Sequence, residues 1–186
     1  MLKIIQAPDT VLNQEAKAIT KIDKTVFNLI KEMATTLESA TDPEGIGLAA
    51  PQVGKSLQLF IIKESKKSPL NVFINPKITI PEGTEMTNEI EKKEKKKDDV
   101  KLEGCLSLQD IWGVVKRYKE ILVTYLDQNG LEHKKTFDGF FATIIQHEYD
   151  HLQGVLFPRR VIEQKSNLYK SSLNKKGEME FEEIQI

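Results

Sequence analysis

Two of the chain's three histidines stand four residues apart in Gln146-His147-Glu148-Tyr149-Asp150-His151. On a helix, positions i and i+4 share one face. Their imidazole nitrogens can there reach a single metal ion, and the glutamate after the first histidine can face a water on that metal. The pattern predicts a metallohydrolase helix; the simpler reading is a surface helix with two solvated histidines. A catalytic metal of this kind takes three protein ligands and keeps one position open. The protease extension HExxHxxGxxH finds its glycine at Gly154, but position 157 is Phe157 and no histidine follows His151. Glu163 or Glu178 downstream could complete the set, as in thermolysin-like proteases, and so could Cys105 upstream, the only thiol. A thiolate binds zinc or iron strongly, although a lone cysteine is more often a small buried hydrophobe. Spacing alone leaves the third ligand open.

Several elements must position these residues. Asp138 is a candidate N-cap for the histidine helix, and Gly154 is placed to stop it. Phe141, Ile144, Ile145 and Leu152 make that helix apolar on more than one side, which predicts burial. Buried histidines and carboxylates need partners, because unpaired burial costs on the order of several kcal/mol. A metal and the groups around it would supply them. A second, amphipathic helix is expected after Asp23, from Val26, Ile30, Met33 and Leu37. Residues 1–20 read as a segment packed over the body. Gly45-Ile46-Gly47-Leu48-Ala49-Ala50-Pro51-Gln52 reads on its own as a tight loop before a strand. It has neither GxGxxG spacing nor the Lys-Ser/Thr of a phosphate loop. Residues 57–63 and 72–80 read as strands, as does the sequence from Val114 to Tyr125, with a hairpin turn at Asp127-Gln128-Asn129-Gly130. His133, on the return strand, is expected as a surface residue and not a ligand. Residues 82–101 are almost wholly charged or polar and read as an insertion, either a solvated, mobile loop or an exposed hairpin extension. The lysine-rich tail, 162–186, is expected as a helix followed by a strand.

The remaining composition bounds the function. The 186 residues suit one domain, with 82–101 as an insertion and 162–186 as a variable tail. With 27 basic and 28 acidic residues the net charge is −1, which argues against DNA or an anionic membrane as partner. No apolar run approaches the roughly 20 residues of a membrane span, and the N-terminus has no signal- or transit-peptide pattern. One cysteine excludes an internal disulfide and fits a reducing, cytoplasmic setting.

GIGLAAPQ at 45–52, EGCLS at 103–107 and QHEYDHLQG at 146–154 occur in that order. Together they resemble the three signature motifs of the peptide deformylase family, and the resemblance runs from IIQAPDTVL near the N-terminus to about Leu156. It implies an α+β fold, with antiparallel sheets packed around a central metal-binding helix and a second helix near the N-terminus. It implies that Cys105, His147 and His151 hold one divalent metal, Fe2+ first, with Zn2+, Ni2+ or Co2+ able to occupy the site. The implied reaction removes the formyl group from the N-terminal formyl-methionine of new polypeptides and releases formate. Glu148 would act as general base, and the Gln52 amide and the Leu106 backbone N–H would donate to the developing oxyanion. Ile46, Phe140 and Ile144 match positions lining the methionine slot, and Gly47 and Gly104 match close approaches of the peptide backbone. Glu103 and Arg117 match a buried ion pair, although Glu103 alone would read as a surface charge. The implied partners are formyl-methionyl nascent peptides. A transient ribosome contact through the lysine-rich tail is weighed against a plain solvated face.

The chain departs from the family pattern at Gln109-Asp110, where a Pro-Gly-like pair is frequent, at Trp112, where a polar residue is common, and at Pro158-Arg159-Arg160. The first two border the peptide groove. Two alternatives compete: a thermolysin-like protease, which leaves EGCLS and GIGLAAPQ unexplained, and a non-catalytic module that holds formyl peptides. Three ligands plus a base favour catalysis, since structural metal sites are closed by four protein ligands.

Overall fold

In the computed structural model, residues 1–40, 45–65, 67–88 and 101–185 are described. Asp23 caps α1 (Lys24–Ser39) by accepting from the amides of Thr25 and Val26. The stripe Val26, Ile30, Met33 and Leu37 is buried, as its spacing predicts. Among the described residues nine strands follow: β1 (Gly47–Ala49), β2 (Leu59–Ile62), β3 (Asn71–Thr79), β4 (Met86–Thr87), β5 (Glu103–Cys105), β6 (Leu108–Gly113), β7 (Arg117–Tyr118), β8 (Glu120–Leu126) and β9 (Glu132–Asp138). The histidine helix, α2 (Gly139–Leu152), comes next, then α3 (Phe157–Glu163) and a hairpin of β10 (Leu168–Leu173) and β11 (Met179–Ile184).

The strands form antiparallel sheets of five strands (β1-β2-β3-β8-β9), four strands (β11-β10-β6-β5) and two strands (β4-β7). The five-stranded sheet lies between the two longer helices. Leu59 and Ile61 of β2 join the cluster around Ile30, Met33 and Leu37, while Phe60 and Ile62 join Ile144, Ile145 and Leu152 of α2. Both faces are covered, so LFII is apolar at every position instead of alternating. A third cluster of Cys105, Val115, Phe157, Val161 and Leu168 ties the four-stranded sheet to α3. The expected α+β arrangement around a central helix is observed.

Several local expectations change. Part of GIGLAAPQ is an edge strand, β1, and Ala50–Val53 is a 3-10 turn that buries Gln52. Asp138 sits at the start of α2 without a capping bond from its side chain. The tail is not helix then strand. Only its first two residues end α3, and the rest is the β10–β11 hairpin, because β10 pairs with β6 on one side and β11 on the other. His133 is half-buried, stacked on Tyr125 and hydrogen-bonded to Asp127 at 3.0 Å, away from the other histidines in role and partners. The insertion expected over 82–101 falls largely on residues 89–100, outside the described residues. Among the described residues, no helix is long and apolar enough to cross a membrane.

Candidate active site

His147 and His151 leave the same face of α2, as four-residue spacing requires. β5 brings Cys105 to them: its Sγ lies 3.3 Å from Nε2 of His151. One ligand atom from each of Cys105, His147 and His151 falls within 4.8 Å of the others. The set is one sulfur and two imidazole nitrogens, which suits zinc or iron. Neither downstream glutamate joins it. Glu163 is held by Arg159 and Arg160 on the surface of α3, and Glu178 by Asn174 in the β10–β11 turn. The thermolysin-like alternative therefore lacks its third ligand. Phe157, which stands where the longer protease motif has histidine, is buried and stacked near His147 instead.

Surrounding groups orient these three residues. Glu103 accepts from Nδ1 of His147 at 2.6 Å, which leaves Nε2 of that ring for a metal. Burial alone would raise the Glu103 pKa, but Arg117 and then His147 hold its carboxyl well below the usual carboxylate range. Arg117 donates to Glu103 at 2.6 Å and 3.2 Å and to Asp150 at 2.6 Å, and Arg160 donates to Asp150 at 2.7 Å and 3.1 Å. The expected Glu103–Arg117 pair is thus one end of a chain of four charges. On the sulfur side, the Ser107 amide and the Gln52 side-chain amide each donate to Cys105 Sγ at 3.4 Å. These N–H groups point at the sulfur and fix its position beside the histidines. Sequence marks none of Ser107, Asp150 and Arg160 as part of the site: Asp150 reads only as a helix carboxylate in need of a partner, and Arg160 only as part of a departure from the family pattern. Asp150 and Arg160 could have been suspected as charges beside the ligand motif, whereas nothing in the spacing marks Ser107.

The remaining residues surround a cavity of about 300 Å³. Ile46, Gly47, Gly104, Phe140 and Ile144, all expected to meet substrate, line it together with Gln52, Leu106, Cys105, His147 and Glu148. The edge strands of the two larger sheets, β1 and β5, both border it. At Gly47 a Cβ would stand 2.3 Å from Oε1 of Glu148, so any side chain there would displace that carboxylate. Glu148 is buried, and its Oε2 has no hydrogen-bond partner among the described residues. Burial pushes its pKa up to about 7. Such an orphaned carboxylate in a cavity marks a place for water or substrate. Gln52 is oriented by the Ala49 amide, which donates to its Oε1 at 2.8 Å. Its Nε2 donates to Ser107 Oγ at 3.3 Å as well as to Cys105, so serving an oxyanion means releasing one of those bonds. Three side chains able to hold a metal on one side of an open cavity, with a buried carboxylate beside them, match the donor set of a hydrolytic metal centre.

Known proteins resemble this chain over most of its length. The family described as Polypeptide deformylase matches residues 1–167. A peptide deformylase of Desulfotalea psychrophila is 40% identical over 179 residues, covering 94% of this chain and 96% of the relative. One of Pseudothermotoga lettingae is 42% identical over 155 residues, covering 83% and 80%. Among solved structures, the peptide deformylase of Thermotoga maritima superposes with a TM-score of 0.71 at 34% identity, covering 86% of this chain and 97% of that one. The Synechococcus elongatus peptide deformylase, crystallised with actinonin, gives 0.71 at 39% identity, covering 86% and 78%. This chain accordingly belongs to the polypeptide deformylase family, metal-dependent hydrolases that remove the N-formyl group from nascent peptides.

Proposed function

We propose that this enzyme deformylates N-formyl-methionyl peptides at the centre formed by Cys105, His147, His151 and Glu148, with iron(II) as the native metal. The observation that carries this reading is the convergence of one thiol and two imidazoles within 4.8 Å beside a buried, unpartnered carboxylate. When bound, the divalent cation supplies Lewis-acid chemistry that makes a water nucleophilic near neutral pH. Glu148 accepts the proton of the attacking water and returns it to the departing amine as the formyl C–N bond breaks. Burial works to raise the Glu148 carboxyl above the ordinary carboxylate range, the direction that strengthens it as a base. The Gln52 amide and the Leu106 backbone N–H donate to the oxygen on which negative charge builds. Ile46, Phe140 and Ile144 form an apolar slot for the methionine side chain, and Gly47 and Gly104 leave room for the peptide backbone.

The test is formate release from a formyl-Met peptide by anaerobically iron-loaded protein, with metal analysis on the same sample. Turnover with about one metal per chain is expected, and iron should outperform zinc. Metal bound without formate release would leave a formyl-peptide binding module. Cys105→Ala should lose the metal, whereas Glu148→Ala should keep it and lose nearly all activity.

A further inference from the structure

Trp112, the only tryptophan, connects the catalytic cavity to the C-terminal hairpin. Its ring lines the cavity and packs over Gly104, where a Cβ would come within 2.8 Å of it. Its Nε1 donates to Oγ of the buried Ser171 at 3.1 Å, and its ring meets Phe181 edge-on at 5.9 Å between centroids. Strand register explains these contacts. Gly104 pairs with Trp112, Trp112 with Tyr169, Ser171 with Phe181 and Leu173 with Met179. Cross-strand partners, and residues two apart on a strand, share a face. Trp112, Ser171, Phe181, Met179 and Leu173 therefore lie on one face, continuous with the cavity. The opposite face carries Ile111, Leu168 and Ile184, which pack into the third core cluster. Among the described residues, no core cluster covers the cavity-side face in this way: Phe181 is 44%, Met179 46% and Leu173 70% exposed. This hairpin lies beyond residues 1–167, the part matched to the family.

We infer that the β10–β11 hairpin extends the peptide groove, so that Trp112 and Phe181 bind apolar side chains of the substrate downstream of its formyl-methionine. The inference rests on the catalytic reading above, because the occupant is the rest of the chain whose first residue is processed. Three strand spacings separate β5 from β11, about 14 Å, a span covered by about four extended residues. A peptide leaving the cavity along this face thus meets the apolar stripe within its first few residues.

The experiment compares formyl-Met-Ala-Leu-Phe with formyl-Met-Ala-Ser-Ser on the iron-loaded enzyme. The apolar peptide should show a KM about tenfold lower, with kcat changed less than about twofold. Phe181→Ser, and independently Met179→Ser, should shrink the KM ratio, while Leu131→Ser, on the exposed β8–β9 turn, should preserve it. Trp112 supplies a second readout. The product peptide Met-Ala-Leu-Phe should shift its fluorescence to the blue, Met-Ala-Ser-Ser should not, and Phe181→Ser should abolish the shift. Equal KM values for the two peptides, or an undiminished ratio in both hairpin variants, would overturn the inference. Formate release from neither peptide would instead overturn the catalytic reading, while the fluorescence titration still reports on the groove.

Discussion

Glu148 and Gln52 show how much of the site depends on single side chains. Glu148 is enclosed, and burial raises its pKa from the ordinary 4.5 to about 7. A carboxyl with a folded-state pKa above its unfolded value stabilises the fold only while protonated, so that contribution fades as pH climbs through about 7. Metal-stripped wild type should therefore lose stability between about pH 5 and pH 8, and the cost at the upper end is roughly 3 kcal/mol. Glu148→Gln carries no titrating group there. Its metal-stripped form should melt above wild type at pH 8 and converge with it towards pH 5, as followed by thermal unfolding in chelator. A melting difference independent of pH would show that ionisation of Glu148 is not its source. Under the proposed role of Gln52 as an oxyanion donor, Gln52→Ala should lower kcat a hundred- to thousandfold, or about 2.7–4 kcal/mol of barrier. Metal content checks the same variant, because Gln52 also donates to Cys105.

At the scale of elements, α2 is held by both ends and by its middle. Its middle is gripped by β7: the Tyr118 amide donates to Gln146 Oε1, and Gln146 Nε2 donates back to the Tyr118 carbonyl. Its C-terminal end turns at Gly154, whose φ is +66°, and passes close to the N-terminal segment. A Cβ there would lie 2.7–2.8 Å from backbone atoms of Asn13 and Gln14. Left-handed strain of about 1–2 kcal/mol plus that clash predicts that Gly154→Ala lowers the melting temperature by at least roughly 4 °C. Because the helix carries both histidines, metal affinity should fall in the same variant. An unchanged melting curve would mean that the N-terminal segment yields without cost. By its small residues alone the GIGLAAPQ stretch reads as a tight loop before a strand. It becomes a strand because β2 offers it an edge, with Gly47 opposite Ile62 and Ala49 opposite Phe60.

Across the whole molecule, the chain Glu103–Arg117–Asp150–Arg160 joins β5, β7, α2 and α3. It locks the sheet that carries Cys105 to the helix that carries the histidines. Arg117 is buried, and its removal would leave Glu103 and Asp150 short of a counter-charge. Arg117→Met should cost about 3–5 kcal/mol and weaken metal binding together with stability. Arg160 is one-third exposed, so Arg160→Ala should cost clearly less. Unfolding in denaturant, paired with metal titration, measures both. Equal losses for the two arginines would contradict a network centred on Arg117.

The helix spacing of His147 and His151, the amphipathic stripe of α1, the Asp23 cap and the hairpin turn at 127–130 were determined by sequence alone. All are local: they depend on residues within one or two turns or one tight loop, where periodicity and capping chemistry act. The ordered motifs carried the family resemblance as well. Tertiary structure decided what depends on distant segments meeting. Only packing brings Cys105 within 3.3 Å of a histidine 46 residues later, or turns Glu103 inward between Arg117 and His147. Only strand pairing makes the polar tail a hairpin, because a weakly alternating segment takes the conformation of the edge that accepts it. The HExxH helix outlines the proposed chemistry, and the fold brings to it a sulfur, buried counter-charges and the wall along which a substrate would run.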